Sequence, residues 1–371
     1  MAQDPRFQDL WLKMEPLFKQ QIKDAVMSSL NTDSSQVRNQ IASLIAAIAQ
    51  IEIPRGEWVE LIANLCANSS HDDQKIKLTS LTTIGYICEE LEPEDLTQEL
   101  KNQIMLALTN NISKDEGQVE ACRLAVKALH HAVPYATVNF QSQEERDFIM
   151  NKILDEALGS SNVTIRETAM QCLVEIGRQE YEKMGAYMAR LSQITAQVAK
   201  HDASEVGSQG IEFWTTIAEV EIARLEKQGQ ILNLVAQYKD FLMTLLLECI
   251  SNVQIDDEDD AEEEWGVNLA SGCCLVKVSL LLKNEVLAAV VQFVSAHIMH
   301  AEWQKRYAAL MALGAASDGP DKAAYAQILT PSIQQLLNMF QDPSIKVREA
   351  ISWVTFQICQ HHAEVMTSTP E

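Results

Sequence analysis

The residues whose types and spacing stand out most form one acidic run: Asp256, Asp257, Glu258, Asp259, Asp260, Glu262, Glu263 and Glu264, ending directly on Trp265. A block of like charge repels itself and cannot bury a core, so the pattern predicts a solvated loop over 255–264. Its chemistry would be attraction rather than catalysis. A negative field beside an indole face draws in a Lys/Arg-rich peptide and then stacks its cations. The plainer alternative is an acidic linker. Trp303 and Trp353 are predicted near the starts of the next two helices of the same kind, and tryptophan is a frequent binding hot spot as well as a core residue.

Other reactive side chains do not group. The eight cysteines (Cys66, Cys88, Cys122, Cys172, Cys249, Cys273, Cys274 and Cys359) sit mostly among apolar residues and read as reduced core packing. His130–His131 and His361–His362 have no companions at metal-ligand spacing. The sequence carries neither a Gly-rich phosphate loop nor a nucleophile elbow, so a non-catalytic protein without metal or cofactor is expected. A formal charge of -23 opposes nucleic-acid binding and favours a basic polypeptide partner, unless the acidity serves solubility alone. No apolar run reaches the ~18 residues of a membrane span, and the N-terminus does not read as a signal peptide. A soluble, intracellular chain without membrane insertion is expected, and nothing points to a homo-oligomer.

These residues must be held by helices, because glycine and proline are sparse and good helix formers dominate. A polar turn, then a β-branched residue, often a basic one, then an apolar helical stripe recurs eight times. Examples are DSSQVRNQIASLIAAI from Asp33, DDQKIKLTSLTTIGYI from Asp72, SNVTIRETAMQCLVEI from Ser161 and DPSIKVREAISWVTFQI from Asp342. Most spacings are ~39–46 residues, the period of a HEAT or armadillo array. The spacing from Val206 to Val267 is longer and contains the acidic run. A second amphipathic segment lies between copies, so each repeat is an antiparallel A/B pair. The turn Asp or Ser is expected to cap helix B. The predicted fold is all-α, an α-α superhelix of about eight helical hairpins whose B helices line the concave side. The expected repeats are 5–53, 54–92, 93–136, 142–181, 182–226, 228–283, 284–317 and 320–365 within one continuous array. Asp4 to Leu30 reads as an opening A helix, and the end at MTSTPE reads as a segment of a longer array.

EIPRGEW at Glu52, LTTIGYICEELEPEDL at Leu81, ERDFIMNKILDEA at Glu145, GIEFW at Gly210, EWQKRYAALMALG at Glu302 and PSIKVREAISWVTFQIC at Pro343 occur in order, with the acidic loop between the fourth and fifth. In this order the chain resembles the importin-β family of nuclear import receptors over nearly its whole length. The resemblance implies a longer parent with one repeat before this segment and many after it, working in the cytoplasm, the nucleus and the nuclear pore. It also implies three kinds of partner. RanGTP would contact early B helices and the acidic loop. The basic segment of importin alpha, or basic cargo, would contact later B helices at Trp265, Trp303 and Trp353. FG nucleoporins would place phenylalanines between A helices at Met105, Leu106, Thr109, Glu145, Phe148 and Ile149, with a second pocket at Tyr187 and Ile194. In the family pattern a larger aliphatic residue stands at Thr109. The other reading of these residues is packing of A helices on one another. A HEAT scaffold for another assembly is the alternative function.

Overall fold

The computed structural model describes residues 5–253 and 265–363. The predicted loop 255–264 lies outside them. Among the described residues every regular element is helical. The chain packs as two compact units, Met1–Glu180 and Tyr181–Glu371.

In the first unit, α1 (Pro5–Lys13) and α2 (Pro16–Ser28) replace the single opening helix that the sequence suggested. Pro16 is the cause. It lacks an N–H to continue α1 and has the fixed φ suited to a first helical turn, so it starts α2. There follow α3 (Ser35–Glu52), α4 (Leu61–Asn68), α5 (Gln74–Glu90), α6 (Gln98–Asn110), α7 (Val119–Ala132), α8 (Gln143–Asn151) and α9 (Val163–Gln179). The B helices α3, α5, α7 and α9 lie side by side, and α4 and α6 pack behind α5 and α7. Ile45, Ile48, Leu61, Ile62, Leu65 and Leu81 are sealed between these layers. Each such side chain contributes roughly 1.5–3 kcal/mol by leaving water. Helix α8 departs from the regular amphipathic segment expected: it runs into a π turn at Lys152–Ala157, where the Leu158 N–H donates to Ile153 O at 3.0 Å.

The second unit repeats the plan. It comprises α10 (Tyr181–Met184), α11 (Met188–His201), α12 (Ser204–Glu226), α13 (Leu234–Gln237), α14 (Lys239–Ile250), α15 (Val267–Leu282), α16 (Leu287–His297), α17 (Trp303–Ala315), α18 (Lys322–Leu329), α19 (Ile333–Asn338) and α20 (Ile345–His361). Here α12, α15, α17 and α20 form the B layer. Gly210, in the GIEFW segment, lets α12 lie against α11: a Cβ there would stand 2.6 Å from Val198 Cγ2.

The polar turns do more than capping. A Ser of the turn caps as expected where Ser34 Oγ accepts from Val37 N and Ser344 Oγ from Val347 N, whereas Asn162 Oδ1, accepting from Ile165 N, takes the place of Ser161. Asp73 does cap α5. Asp33 and Asp342 are thereby free to reach the adjacent repeat, pairing with Lys75 at 2.8 Å and Arg306 at 2.7 Å. An arginine near the start of helix B folds back over the turn. Arg166 Nη1 donates to Ser160 O and Ser161 O, Arg306 Nη1 to His300 O and Ala301 O, and Arg348 Nη1 to Asp342 O and Pro343 O. These contacts satisfy carbonyls that no helix claims.

Candidate functional site

Helical spacing puts Asn102, Met105, Leu106 and Thr109 on one face of α6, and Glu145, Phe148 and Ile149 on one face of α8. With Asn139 and Glu144 they line a cleft of about 320 Å³. Met105, Thr109 and Ile149 are buried and make its base. Leu106 and Phe148 stand at the mouth, 56% and 45% exposed. Simple packing of one A helix on the next would have covered both, so this pair remains available to a guest.

Polar bonds hold the two walls at both ends. At one end Asn139 Nδ2 donates to Asn102 Oδ1 at 3.0 Å and to Glu145 Oε2 at 2.8 Å. At the other, Lys152 Nζ donates to Ile112 O at 3.2 Å, and Glu156 Oε2 accepts from Lys114 N at 3.2 Å. The Thr109 hydroxyl donates to Met105 O at 2.7 Å. That bond satisfies its polar atom within α6, so the Thr109 hydroxyl adds no free donor to the cleft.

The six residues predicted for this cleft are brought together. Tyr187 and Ile194, expected to form a second pocket, belong to the second unit, at the start and on the body of α11, and both are half-buried. Asn102, Asn139 and Glu144 were missed. Asn102 precedes Met105 by three residues and extends the stripe, whereas Asn139 sits in a short 3-10 turn with no periodicity to mark it.

The tryptophans lie in the second unit. Trp265 is 64% exposed just before α15, and the carboxylates preceding it, Asp256 to Glu264, lie outside the described residues. Trp303 opens α17 as expected and meets Tyr307 edge-on, with ring centroids 6.4 Å apart. Trp353 was expected near a helix start and instead stands at the middle of α20. Its ring lies on Gly314, where an added Cβ would come within 2.3 Å of Cζ3. Trp303 and Trp353 are both half-buried against the cluster of Tyr307, Leu310, Leu313, Ile351 and Val354. Phe356, one turn beyond Trp353 and 61% exposed, was not singled out from sequence.

The second unit has two further clefts between consecutive A helices. One of about 790 Å³ lies between α14 and α16, its rim crossed by the 2.7 Å Lys239–Glu285 ion pair. The other, about 500 Å³, lies between α16 and α18–α19 and is lined by apolar, Ser and Gln side chains.

Comparison with known proteins gives these features a setting. A HEAT-like repeat family model matches residues 303–354. Importin subunit beta-1 of Arabidopsis thaliana is 32% identical over 94% of this chain and 41% of its own length. That of Schizosaccharomyces pombe is 31% identical over 98% and 43%. Yeast importin-β (Kap95p) superposes with a TM-score of 0.90 at 28% identity, covering 97% of this chain and 43% of its own. Two further solved structures concern Kap95p with RanGDP (TM-score 0.88, 28% identity, 97% and 42% coverage) and a Kap95:Nup1 complex (0.87, 29%, 97% and 43%). The chain thus has the all-α HEAT-type solenoid fold and spans about two fifths of the length of these relatives.

Proposed function

From the premise that this chain belongs to the importin-β family, we infer that it is a binding segment of a nuclear import receptor, which shuttles between cytoplasm and nucleus through the pore. Its work is selective binding rather than catalysis. The observation that carries this reading is the cleft between α6 and α8, with Leu106 and Phe148 exposed over a buried apolar base. Its guest is the phenylalanine of an FG repeat. Burying one such ring contributes roughly 1.5–3 kcal/mol, which leaves millimolar binding or weaker once association entropy is counted. Weak single contacts suit transit, and several acting together supply retention.

Two other partners complete the reading. RanGTP would engage B helices of the early repeats and Asp256 to Glu264. The basic segment of importin alpha, or basic cargo, would lay its cations on Trp265, Trp303 and Trp353. Exchange of one for the other needs only different affinities for two shapes of the same chain.

The test is retention on FG-repeat resin. Leu106→Asp places a carboxylate at an exposed rim position and leaves the core intact, whereas substitution of the buried Ile149 would confuse binding with folding. Loss of retention is expected with an unchanged melting temperature. Undiminished retention would remove the cleft from the account, and a chain that also ignored both Ran and basic peptides would be a scaffold of another kind.

A further inference from the structure

We propose that Glu144 and Glu145 make the cleft between α6 and α8 selective for a phenylalanine that has a lysine or arginine within two residues of it. This rests on the reading of that cleft as an FG-peptide site and goes beyond it by assigning the charge of the guest.

Both residues line the cleft from the first turn of α8 and precede Phe148 by four and three positions, so they stand one helical turn, about 5.4 Å, from the ring at its mouth. Both are exposed. Glu145 accepts from Asn139 Nδ2 at 2.8 Å with one oxygen, and Glu144 has no hydrogen-bond or ion-pair partner among the described residues. The other seven lining residues are neutral. Nearby positive charge does not cancel the pair. Arg146 donates to Phe140 O at 2.7 Å and is not part of the lining. Lys152 and Lys114 lie at the opposite end, where Lys152 Nζ is held by Ile112 O and Glu156 accepts from Lys114 N. The N-terminus of α8 contributes about half a positive charge, against two full negative ones. An extended segment advances about 3.4 Å per residue, so a cation one or two residues from the inserted ring stays close to both carboxylates. Attraction at that range needs no fixed side-chain geometry, because it acts over the screening length, about 10 Å near 0.1 M salt. The other two clefts differ in charge. The one between α14 and α16 carries lysine and carboxylate side chains together, and the one between α16 and α18–α19 is lined by uncharged residues. Of these three, the α6–α8 cleft alone presents carboxylates without a cation among the described residues.

The experiment is a titration followed by NMR with short peptides holding one Phe-Gly pair and Lys, Gln or Glu two residues before or two residues after the phenylalanine, at about 0.05 M salt. At one placement or both, the lysine peptide should bind about 2- to 5-fold more tightly than its glutamine counterpart, the range of an exposed ion pair, and the glutamate peptide more weakly. The gain should shrink at about 0.5 M salt. A net charge of -23 favours lysine at any site, so the deciding readout is the lysine-to-glutamine affinity ratio across variants. The double change Glu144→Gln with Glu145→Gln, which leaves an amide oxygen for the Asn139 bond, should bring that ratio close to one. Glu205→Gln, in the corresponding first turn of α12, should keep it. Equal affinity for the lysine and glutamine peptides in the unmodified chain overturns the proposal, and this outcome needs no variant to fold. A ratio that persists in the double variant, or that falls as much in Glu205→Gln, overturns it as well. A glutamine peptide that shifts no resonance of α6 or α8 would instead remove the FG reading itself, and the inference with it.

Discussion

At the scale of single residues, exposure and chemistry separate groups that share a residue type. Burial pushes the Cys66 and Cys274 thiols up to about 12, so neither forms appreciable thiolate near neutral pH. Cys88 and Cys172 are raised further still by complete burial. Cys273 and Cys359 are exposed. Timed alkylation at pH 8 with mass-spectrometric mapping should therefore modify Cys359 and Cys273 first and leave Cys88, Cys172 and Cys274 intact until the protein unfolds. Early labelling of Cys88 or Cys172 would contradict their burial. The apolar context of most cysteines was legible in the sequence. That Cys273 and its neighbour Cys274 differ was not, because adjacent helical residues point about 100° apart and only the packed neighbours decide which is covered. The same limit applies to the cleft: helical spacing gathers Met105, Leu106 and Thr109 on one face, but the Thr109 hydroxyl's return to Met105 O and the bridging by Asn139 depend on contacts from outside the stripe.

At the scale of elements, the repeats are joined by charge as well as by apolar packing. Both Asp342 oxygens accept from Arg306, at 2.7 Å each, and the two side chains are only 9% and 13% exposed. Burial alone would raise the Asp342 carboxyl, but the Arg306 hydrogen bonds and charge, with help from Ser344 N–H and Arg348, hold it below its ordinary value. A depressed folded-state pKa means that the pair's contribution is complete above the unfolded carboxylate value, near 3.8, and is lost as pH falls through the lower folded value. Asp342→Asn, which strands a largely buried guanidinium, should cost about 3 kcal/mol at pH 7. Its stability should also fall less steeply below pH 4 than that of the unmodified chain. Parallel denaturant melts of the two proteins, with equal acid slopes as the contrary result, decide the point. The recurrence of a polar turn, a β-branched residue and a basic one made the helix pairs legible before any coordinates. The break at Pro16 and the π turn at Lys152–Ala157 were not foreseen: the expectation for Asp4 to Leu30 is one opening helix, and a π turn has no composition of its own.

At the scale of the whole molecule, the proposed function joins a net charge of -23 to a set of clefts, and the two kinds of binding it proposes would respond differently to salt. Attraction of a basic peptide to Asp256–Glu264 and the neighbouring Trp265 would be screened over about 10 Å at 0.1 M ionic strength, whereas insertion of an aromatic ring would not. Affinity for the basic importin-alpha segment should therefore fall steeply between 0.05 and 0.5 M salt, while FG-peptide affinity stays level or rises, values to be compared by titration at each concentration. Replacing the eight carboxylates with Ser should flatten the first dependence and leave the second alone. The measurement that bears most directly on the central claim is hydrogen exchange of the whole chain with and without a saturating FG-repeat peptide. Slower exchange concentrated in α6, α8 and the turn holding Asn139, and absent in Leu106→Asp, is the predicted result. Protection confined to other helices, with α6 and α8 unchanged, would contradict the account.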